Sequence, residues 1–299
     1  MEKKVLVLYY TQTGQLTDIV NSFCQPIVDA GVSVEKILLT PLNDFTFPWT
    51  SDSFFDAMPE SGLCIPVELK PFQLKEKSYD LIIFGYQPWF LSPSIPASSI
   101  LLHPVIKNIM HDTPVITLIG ARNMWLSAQE KVKKMLKESE AKLVGNVALI
   151  DHHNNHLSAV SILHWMLEGK KERKWGIFPK PGVSEHDILH SGAYGETVLH
   201  FLNKNNWEGM QEKLIEQKAL EVIPNLMFIE TRGAKVFSIW ANLIYKKKNR
   251  RPWLIAFKYY LLIALFIVAP FVVLINELLF KPFLRKQINK KKQYYLGLN

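Results

Sequence analysis

KVLVLYYTQTGQLTDIV (Lys4–Val20) is the stretch that decides the fold. After Lys4 it runs through six apolar, β-prone residues without a break, Val5–Tyr10, the pattern of a strand buried on both faces. It then turns through TQTG and enters an amphipathic stretch predicted to be helical over Leu16–Ala30, with Gly31 placed to cap its C-terminus. Thr11–Thr17 (TQTGQLT) therefore sits between a first strand and a first helix. Hydroxyls and backbone N–H groups at a helix N-terminus favour an anion, because the unpaired donors and the helix dipole act together. Gly14 lets the backbone close around a ligand. Neither a GxGxxG dinucleotide fingerprint nor a GxxxxGK[ST] triphosphate loop is present, so a single phosphate is the expected guest.

Outward from this stretch the same alternation repeats. Strands are predicted at Ser33–Leu39, Tyr79–Gly85, Pro114–Gly120 and Leu143–Ile150, with helical segments near Pro96–Met110 and Leu126–Glu140. Five short, doubly buried strands separated by helices imply an α/β fold with a parallel sheet covered on both faces. With the key loop directly after the first strand, the expected architecture is the flavodoxin-like doubly wound order. Two segments exceed a bare fold of this kind. Pro41–Lys77 carries five aromatics between Phe45 and Phe55, which argues against disorder. Asp151–Gly182 precedes a last helix over Ser184–Asn203, with Ser184 as N-cap and Asp187 three residues on. The expected organisation is a domain over residues 1–205, a helical extension over 206–245, and a basic, apolar membrane-anchoring tail over 246–299.

Charge separates that tail from the rest. The whole chain of 299 residues carries +8. Residues 246–299 hold twelve Lys and Arg against one acid, Glu277, leaving 23 basic and 26 acidic residues in the body. Such asymmetry points to nucleic acid or to an anionic membrane. YYLLIALFIVAPFVVLI (Tyr259–Ile275), seventeen residues without a charge, selects the membrane and excludes nucleic acid. Leu278–Phe280 extend the apolar character, Trp253, Tyr259 and Tyr260 resemble interfacial anchors, and basic clusters flank both ends. Anchoring is therefore expected through residues 253–280. Pro270 leaves two forms open, a kinked spanning helix and a re-entrant hairpin. The two cysteines, Cys24 and Cys64, have neither CxxC nor metal-like spacing, so a reducing compartment fits.

Thr11, Thr13 and Gly14 match the [ST]-x-[ST]-G-x-[ST] phosphate loop of flavodoxins and flavodoxin-like reductases, which the segment resembles. The last hydroxyl position holds Leu16, with Thr17 one residue late. The resemblance implies FMN as cofactor, its phosphate held by Thr11, Gln12, Thr13, Gly14, Gln15 and Leu16. It implies that the loops after the third and fourth strands grip the flavin ring. The first, YQPWFLSPSIP (Tyr86–Pro96), is similar to the aromatic, proline-bearing loop of FMN-dependent quinone reductases, and offers Pro88, Trp89, Phe90 and Leu91. The second, GARNMW, offers Gly120, Ala121, Arg122 and Asn123. Arg122 would favour negative charge on a reduced flavin or on an enolate substrate.

YYTQTGQL, FPWTSDSFFDAMPES, YQPWFLSPSIP and GARNMW, followed by an apolar basic tail, together resemble a bacterial family of dialkylresorcinol condensing enzymes over most of the chain. These act with a ketosynthase in making dialkylresorcinols and flexirubin-type pigments. The chain shows no thiolase-type Cys-His machinery, so the resemblance implies a redox role: an FMN-dependent oxidoreductase that aromatises a dialkyl cyclohexanedione to the resorcinol. Its expected partners are a lipid-like cyclic diketone or resorcinol, the bilayer and the ketosynthase. Its expected place is the cytoplasmic face of the inner membrane. A flavodoxin-type electron carrier and a flavin-free accessory to the ketosynthase are the competing readings. The catalytic candidates are Arg122, for charge stabilisation, and Tyr86 and Asp151, which with the nearby histidines of DHHNNH (Asp151–His156) are the candidates by position for proton transfer. The spacing within DHHNNH is not that of a helical zinc motif, and no metal site is expected.

Overall fold

A computed structural model describes residues 2–277 and 281–298. Strand β1 (Lys4–Tyr9) leads into helix α1 (Gln15–Asp29), which returns to β2 (Ser33–Leu38). Two short helices, α2 (Ser51–Asp56) and α3 (Met58–Leu63), occupy the aromatic insertion. Next come β3 (Leu81–Tyr86) and a small antiparallel hairpin, β4 (Pro88–Trp89) with β5 (Ser92–Pro93). Helices α4 (Ile95–Leu102) and α5 (Pro104–Met110) replace the single helix expected there. The break falls at His103, whose extended backbone is what a residue before proline prefers. Strand β6 (Pro114–Ala121), helix α6 (Leu126–Glu138) and β7 (Lys142–Ile150) complete the sheet. The spatial order is β2-β1-β3-β6-β7, all parallel. Counting only these five strands, that is the 2-1-3-4-5 arrangement, and the chain has a flavodoxin-like fold.

The core follows from the sequence pattern. Val5, Leu6, Val7 and Leu8 of β1 and Leu81–Phe84 of β3 have no exposed surface, as central strands covered on both faces require. Helix α1 buries Leu16, Ile19, Val20, Phe23 and Ile27, a stripe of helical period. Each such side chain contributes about 1.5–3 kcal/mol of burial. Helix α7 (Asn155–Glu168) lies inside the segment read from sequence as an insertion before the last helix. Asn154 caps its start, accepting from the His156 N–H at 3.0 Å, and Gly169 ends it in the left-handed region. Helix α8 (Glu185–Lys204) has the expected Ser184 cap, whose Oγ accepts from the Asp187 N–H at 3.0 Å. It crosses α1 so closely that a Cβ at Gly195 would lie 1.9 Å from the Phe23 carbonyl oxygen.

Helix α9 (Met210–Glu216) and the start of α10 (Pro224–Tyr245) at Met227 pack into the core of the sheet, while Ala241 and Ile244 further along α10 belong to a second cluster with Met58 and Phe257. Met210 and Leu214 are fully buried, and the Ala148 N–H on the edge strand β7 donates to the Ala219 carbonyl at 2.8 Å. The apolar tail forms α11 (Arg251–Ile263), a π-helical turn at Ala264–Val268, and α12 (Ala269–Ile275), one rod of 25 residues. Pro270, which donates no backbone hydrogen bond, follows the widened turn. The last helix, α13 (Lys281–Leu296), comes back to the body: Gln211 Nε2 donates to the Leu296 carbonyl at 2.8 Å, and Tyr294 Oη to Glu130 Oε2 at 2.6 Å. Of the expected anchor, residues 278–280 lie outside the described residues.

Candidate functional site

The loop from β1 to α1 turns at Gly14, whose φ of +86° is a left-handed backbone that an L side chain rarely adopts. Thr11 Oγ1 accepts the Gly14 N–H at 3.1 Å, and Thr13 Oγ1 faces the Gln15 N–H at 3.4 Å. The loop is fastened on both sides by the two insertions. Gln12 Nε2 donates to the Phe45 carbonyl at 3.0 Å, while Gln12 Oε1 accepts from the Tyr10 hydroxyl. Gln15 makes a two-point contact with Val183, donating to its carbonyl and accepting its N–H, both at 3.0 Å. The Gln15 amide is thus spent on the scaffold. Leu16 is 2% exposed and leans into the core near Gly85 and Gly120. It replaces the family hydroxyl with a core anchor. The Thr11 and Thr13 hydroxyls keep their own protons to donate, while the Thr17 and Asp18 N–H groups both turn to the Gly14 carbonyl.

A cavity of about 120 Å³ lies beside this loop, at the C-terminal ends of β1, β3 and β6. Of the residues singled out in the sequence, Gln12, Thr13, Gln15, Leu16, Pro88, Trp89, Gly120, Ala121 and Arg122 line it, while Thr11 and Gly14 lie in the loop outside the lining. The crevice outside the strand ends is where open α/β sheets bind ligands. The sequence reading missed two parts of it. Gln87 lines the wall, and among the described residues its Nε2 is buried without an acceptor. Trp165 and Met166 of α7 close the cavity. Helix α7 was detectable from its Asn154 cap and Gly169 stop around an apolar stretch.

The hairpin loop divides its four candidate residues between two cavities. Trp89 stays on the first, packed edge-on against Phe45, Trp49 and Tyr10 at centroid distances of 5.1, 5.2 and 6.3 Å. Phe90 and Leu91 form the turn, with φ of +47° and +58°, and face a second cavity of about 250 Å³. Two-residue hairpins favour this conformation, yet it is normally given to Asn and Gly. The second cavity is apolar, walled by Phe54, Phe90, Leu163, Phe237, Leu261 and Leu265 among others. Pro88, Arg122 and Ile162 line both cavities, so the two adjoin. Together they reach the ~300–1,000 Å³ typical of small-molecule sites.

Arg122 stands at the junction. Its Nη1 donates to the Asn155 carbonyl at 2.9 Å. Desolvation pulls its pKa down to about 10, against the opposing pull of Asp151 and Glu230. Glu230 of α10 is 1% exposed. Its Oε1 accepts the Ser127 N–H at 2.7 Å at the start of α6, and its Oε2 is unpaired among the described residues. Burial raises its pKa to about 7.

The other candidates sit elsewhere. Asn123 is buried, with Nδ2 donating to Asn155 Oδ1 at 3.1 Å, and lines a third, more polar cavity with Asp151 and the histidines. Tyr86 is corrected: its ring is fully buried, and its hydroxyl donates to Gln129 Oε1 at 2.9 Å in a chain that continues to Thr117. It reaches neither ligand cavity. Asp151 is 2% exposed and fully engaged, accepting from the His153 N–H at 2.9 Å and from Ser158 Oγ at 2.7 Å, with His153 Nδ1 at 2.6 Å. It positions His153, and it lines the third cavity but neither of the first two. Among the described residues no three of His, Cys, Asp and Glu come together as a metal site.

No protein-family model matches the chain, and no curated protein matches it. Solved structures do. A flavoprotein in complex with FMN from Lactobacillus acidophilus NCFM is 19% identical, over 49% of this chain and 93% of that one, with a TM-score of 0.39. A flavoprotein from Bacteroides eggerthii DSM 20697 is 15% identical, over 56% of this chain and all of that one, with a TM-score of 0.40. A flavodoxin from the domain Archaea is 9% identical, over 67% and 99%, with a TM-score of 0.37.

Proposed function

We propose that this chain is a membrane-attached, FMN-dependent oxidoreductase acting on a lipid-like cyclic diketone, quinone or resorcinol precursor. The observation that carries the reading is the cavity at the strand ends. It joins the helix N-terminus at Thr13 to a buried amide at Gln87 that is unpaired among the described residues, and it adjoins an apolar chamber. Thr11 and Thr13 would hold the FMN phosphate through their hydroxyls. Gln87 would supply the donor that a flavin carbonyl needs, and Trp89 and Trp165 would bracket the ring. The first cavity alone is smaller than a whole FMN requires, so Trp165 and Met166 must move outward when it binds.

FMN, when bound, supplies the two-electron acceptor. The chain's own residues supply the rest. The aromatic hairpin and α7 exclude water. The apolar chamber takes an alkyl chain. Arg122, held by Asn155, faces the charge that develops on an enolising carbonyl. In its finest form the reading is the aromatisation of a dialkyl cyclohexanedione to a dialkylresorcinol, beside a ketosynthase and at the cytoplasmic face of the inner membrane. That reaction removes two hydrogens from the diketone, a hydride that bound FMN would accept and a proton that a base must take, with oxygen or a quinone as the terminal oxidant.

The narrowness of the first cavity favours one alternative, a flavin-free accessory to the ketosynthase. The visible spectrum of the detergent-purified protein separates the two. Bound FMN, or FMN taken up on incubation, supports the oxidoreductase. A protein that stays colourless after incubation refutes it. Resorcinol formation from a dialkyl cyclohexanedione under oxygen then distinguishes an enzyme from an electron carrier.

A further inference from the structure

The rod formed by α11, the π-turn and α12 has length and composition enough to cross a membrane, with a mean hydropathy of 2.4 in its most apolar window. Its surroundings are those of a helix lying along a body. One face is packed: Phe257 is fully buried among Phe55, Phe90, Phe237 and Trp240, and Ala269 and Asn276 are buried further along. The opposite face is apolar and open. Ile255, Tyr259, Ile263, Ile267, Phe271 and Leu274, spaced three or four apart, are between 46 and 60% exposed or slightly more.

Both ends of the rod are tied to the same domain. At its start Arg250 Nη1 meets Glu60 Oε1 at 2.6 Å, and Lys258 Nζ meets Ser51 Oγ at 3.0 Å. At its end Glu277 Oε1 accepts from Asn225 Nδ2 at 2.8 Å, and α13 then returns to Glu130 and Gln211. Twenty-five residues of helix span about 37 Å, more than the ~30 Å of a hydrocarbon core. If the rod crossed the bilayer, the domain alongside would cross with it. The polar and charged residues Asp151–His156, which share a cavity with Pro270 and Val273, would then sit at hydrocarbon depth.

We infer that the rod lies in the plane of one membrane leaflet, its Ile255–Leu274 stripe dipped among the acyl chains and its other face sealed on the domain. The inference rests on the reading of membrane attachment and replaces both the spanning helix and the re-entrant hairpin. Charge agrees. Basic residues flank the rod at Lys246–Arg251 and again at Arg285–Lys292, and an in-plane rod brings both clusters to one anionic surface. The loop after α7 adds a second contact. Trp175 and Ile177 are 76 and 78% exposed, among Lys170, Lys171, Arg173 and Lys174. The Trp49 N–H bonds the Met166 carbonyl near the end of α7, and Ser51, two residues on, bonds Lys258. The loop therefore leaves α7 near the Arg251 end of the rod. An aromatic, basic loop beside a basic helix end is suited to a headgroup layer.

The experiment uses the full chain with Cys24→Ala and Cys64→Ser, added to phosphatidylcholine–phosphatidylglycerol vesicles. Single cysteines at Tyr259, Ile267 and Phe271 carry a fluorophore quenched by brominated lipids. Cysteines at Lys248 and Lys291 report to an impermeant maleimide outside the vesicles. An in-plane rod gives three equal, shallow depths and labels both lysine positions. A depth maximum at Ile267 with only one lysine position labelled means a spanning helix and overturns the inference. A maximum near Phe271 with both labelled means a hairpin and overturns it too. Failure of the chain to float with vesicles refutes membrane attachment itself, and flavin absorbance, read on the same samples, is independent of all three. Trp175→Ala with Ile177→Ala lowers partition to the vesicles by about tenfold.

Discussion

Replacing Glu230 by Gln will stabilise the protein at alkaline pH and leave it nearly unchanged in acid. The carboxyl is 1% exposed and burial, the main cause, raises its pKa to about 7 from the ordinary 4.5 of a glutamate. The folded state therefore holds a proton that the unfolded state releases between pH 4.5 and 7. Stability falls through that window as pH rises and levels off above it. At 1.36 kcal/mol per pKa unit the full loss is about 3 kcal/mol, of which about 2.5 falls between pH 5 and 8. Gln keeps an acceptor for the Ser127 N–H and does not titrate, so the difference between variant and parent grows by that amount over the same range. Urea titrations in detergent at pH 5 and pH 8, followed by circular dichroism, measure it. Curves that stay parallel at both pH values would show that Glu230 is charged throughout, and would refute a carboxyl held neutral by burial.

Converting the Phe90–Leu91 turn to Asn-Gly relieves two left-handed residues but removes the packing of Phe90 on Phe54 and Phe257, so stability falls by about 1–2 kcal/mol while the apolar chamber opens. Thermal melts read the first effect, and a lower kcat/KM for long-chain than for short-chain diketones reads the second. Gln15→Ala removes both bonds to Val183, so FMN affinity drops by about tenfold in an absorbance titration as the loop loosens. Gly195→Ala drives a Cβ against the Phe23 carbonyl, and separating α1 from α8 costs about 3 kcal/mol or more, visible as loss of folded protein on expression.

The central strands were legible because a doubly buried strand has one sequence appearance, an unbroken β-prone run, and KVLVLYY and LIIFG have it, whereas the edge strand SVEKIL is mostly open and was placed by the helix before it. The phosphate-loop position followed from the strand–turn–helix junction around Gly14. Tyr86 was misplaced for a reason equally local. It ends β3, and a period-two strand sends neighbouring side chains to opposite faces, so a residue one position short of the loop can point into the core. Gln87, Trp165 and Met166 escaped notice because their role is set by tertiary packing. The lone amide at Gln87 gains meaning only once its surroundings are seen to offer no acceptor. The long tail was read by composition, which records how apolar a helix is but not how its faces are used. The alternation of packed and open positions through Ile255–Leu274 separates a rod on a surface from a rod through it.

This arrangement links the two halves of the molecule. The packed face of the rod supplies Tyr260, Leu261, Ala264, Leu265 and Ala269 to the apolar chamber, and the chamber's inner end is Arg122 at the edge of the first cavity. A substrate with an alkyl chain loses about 0.8 kcal/mol for every CH₂ it brings from lipid into water. For such a molecule a chamber walled by the membrane-lying helix itself offers apolar surroundings from the leaflet to the cavity at the strand ends. The rod then serves as attachment and as one wall of the binding site. Ala264→Phe, which fills the chamber from the rod side, is therefore expected to leave vesicle flotation and flavin absorbance unchanged and to reduce turnover of long-chain diketones several-fold. If turnover of long and short chains falls alike, the chamber does not hold the chain and the coupling of anchor to substrate fails.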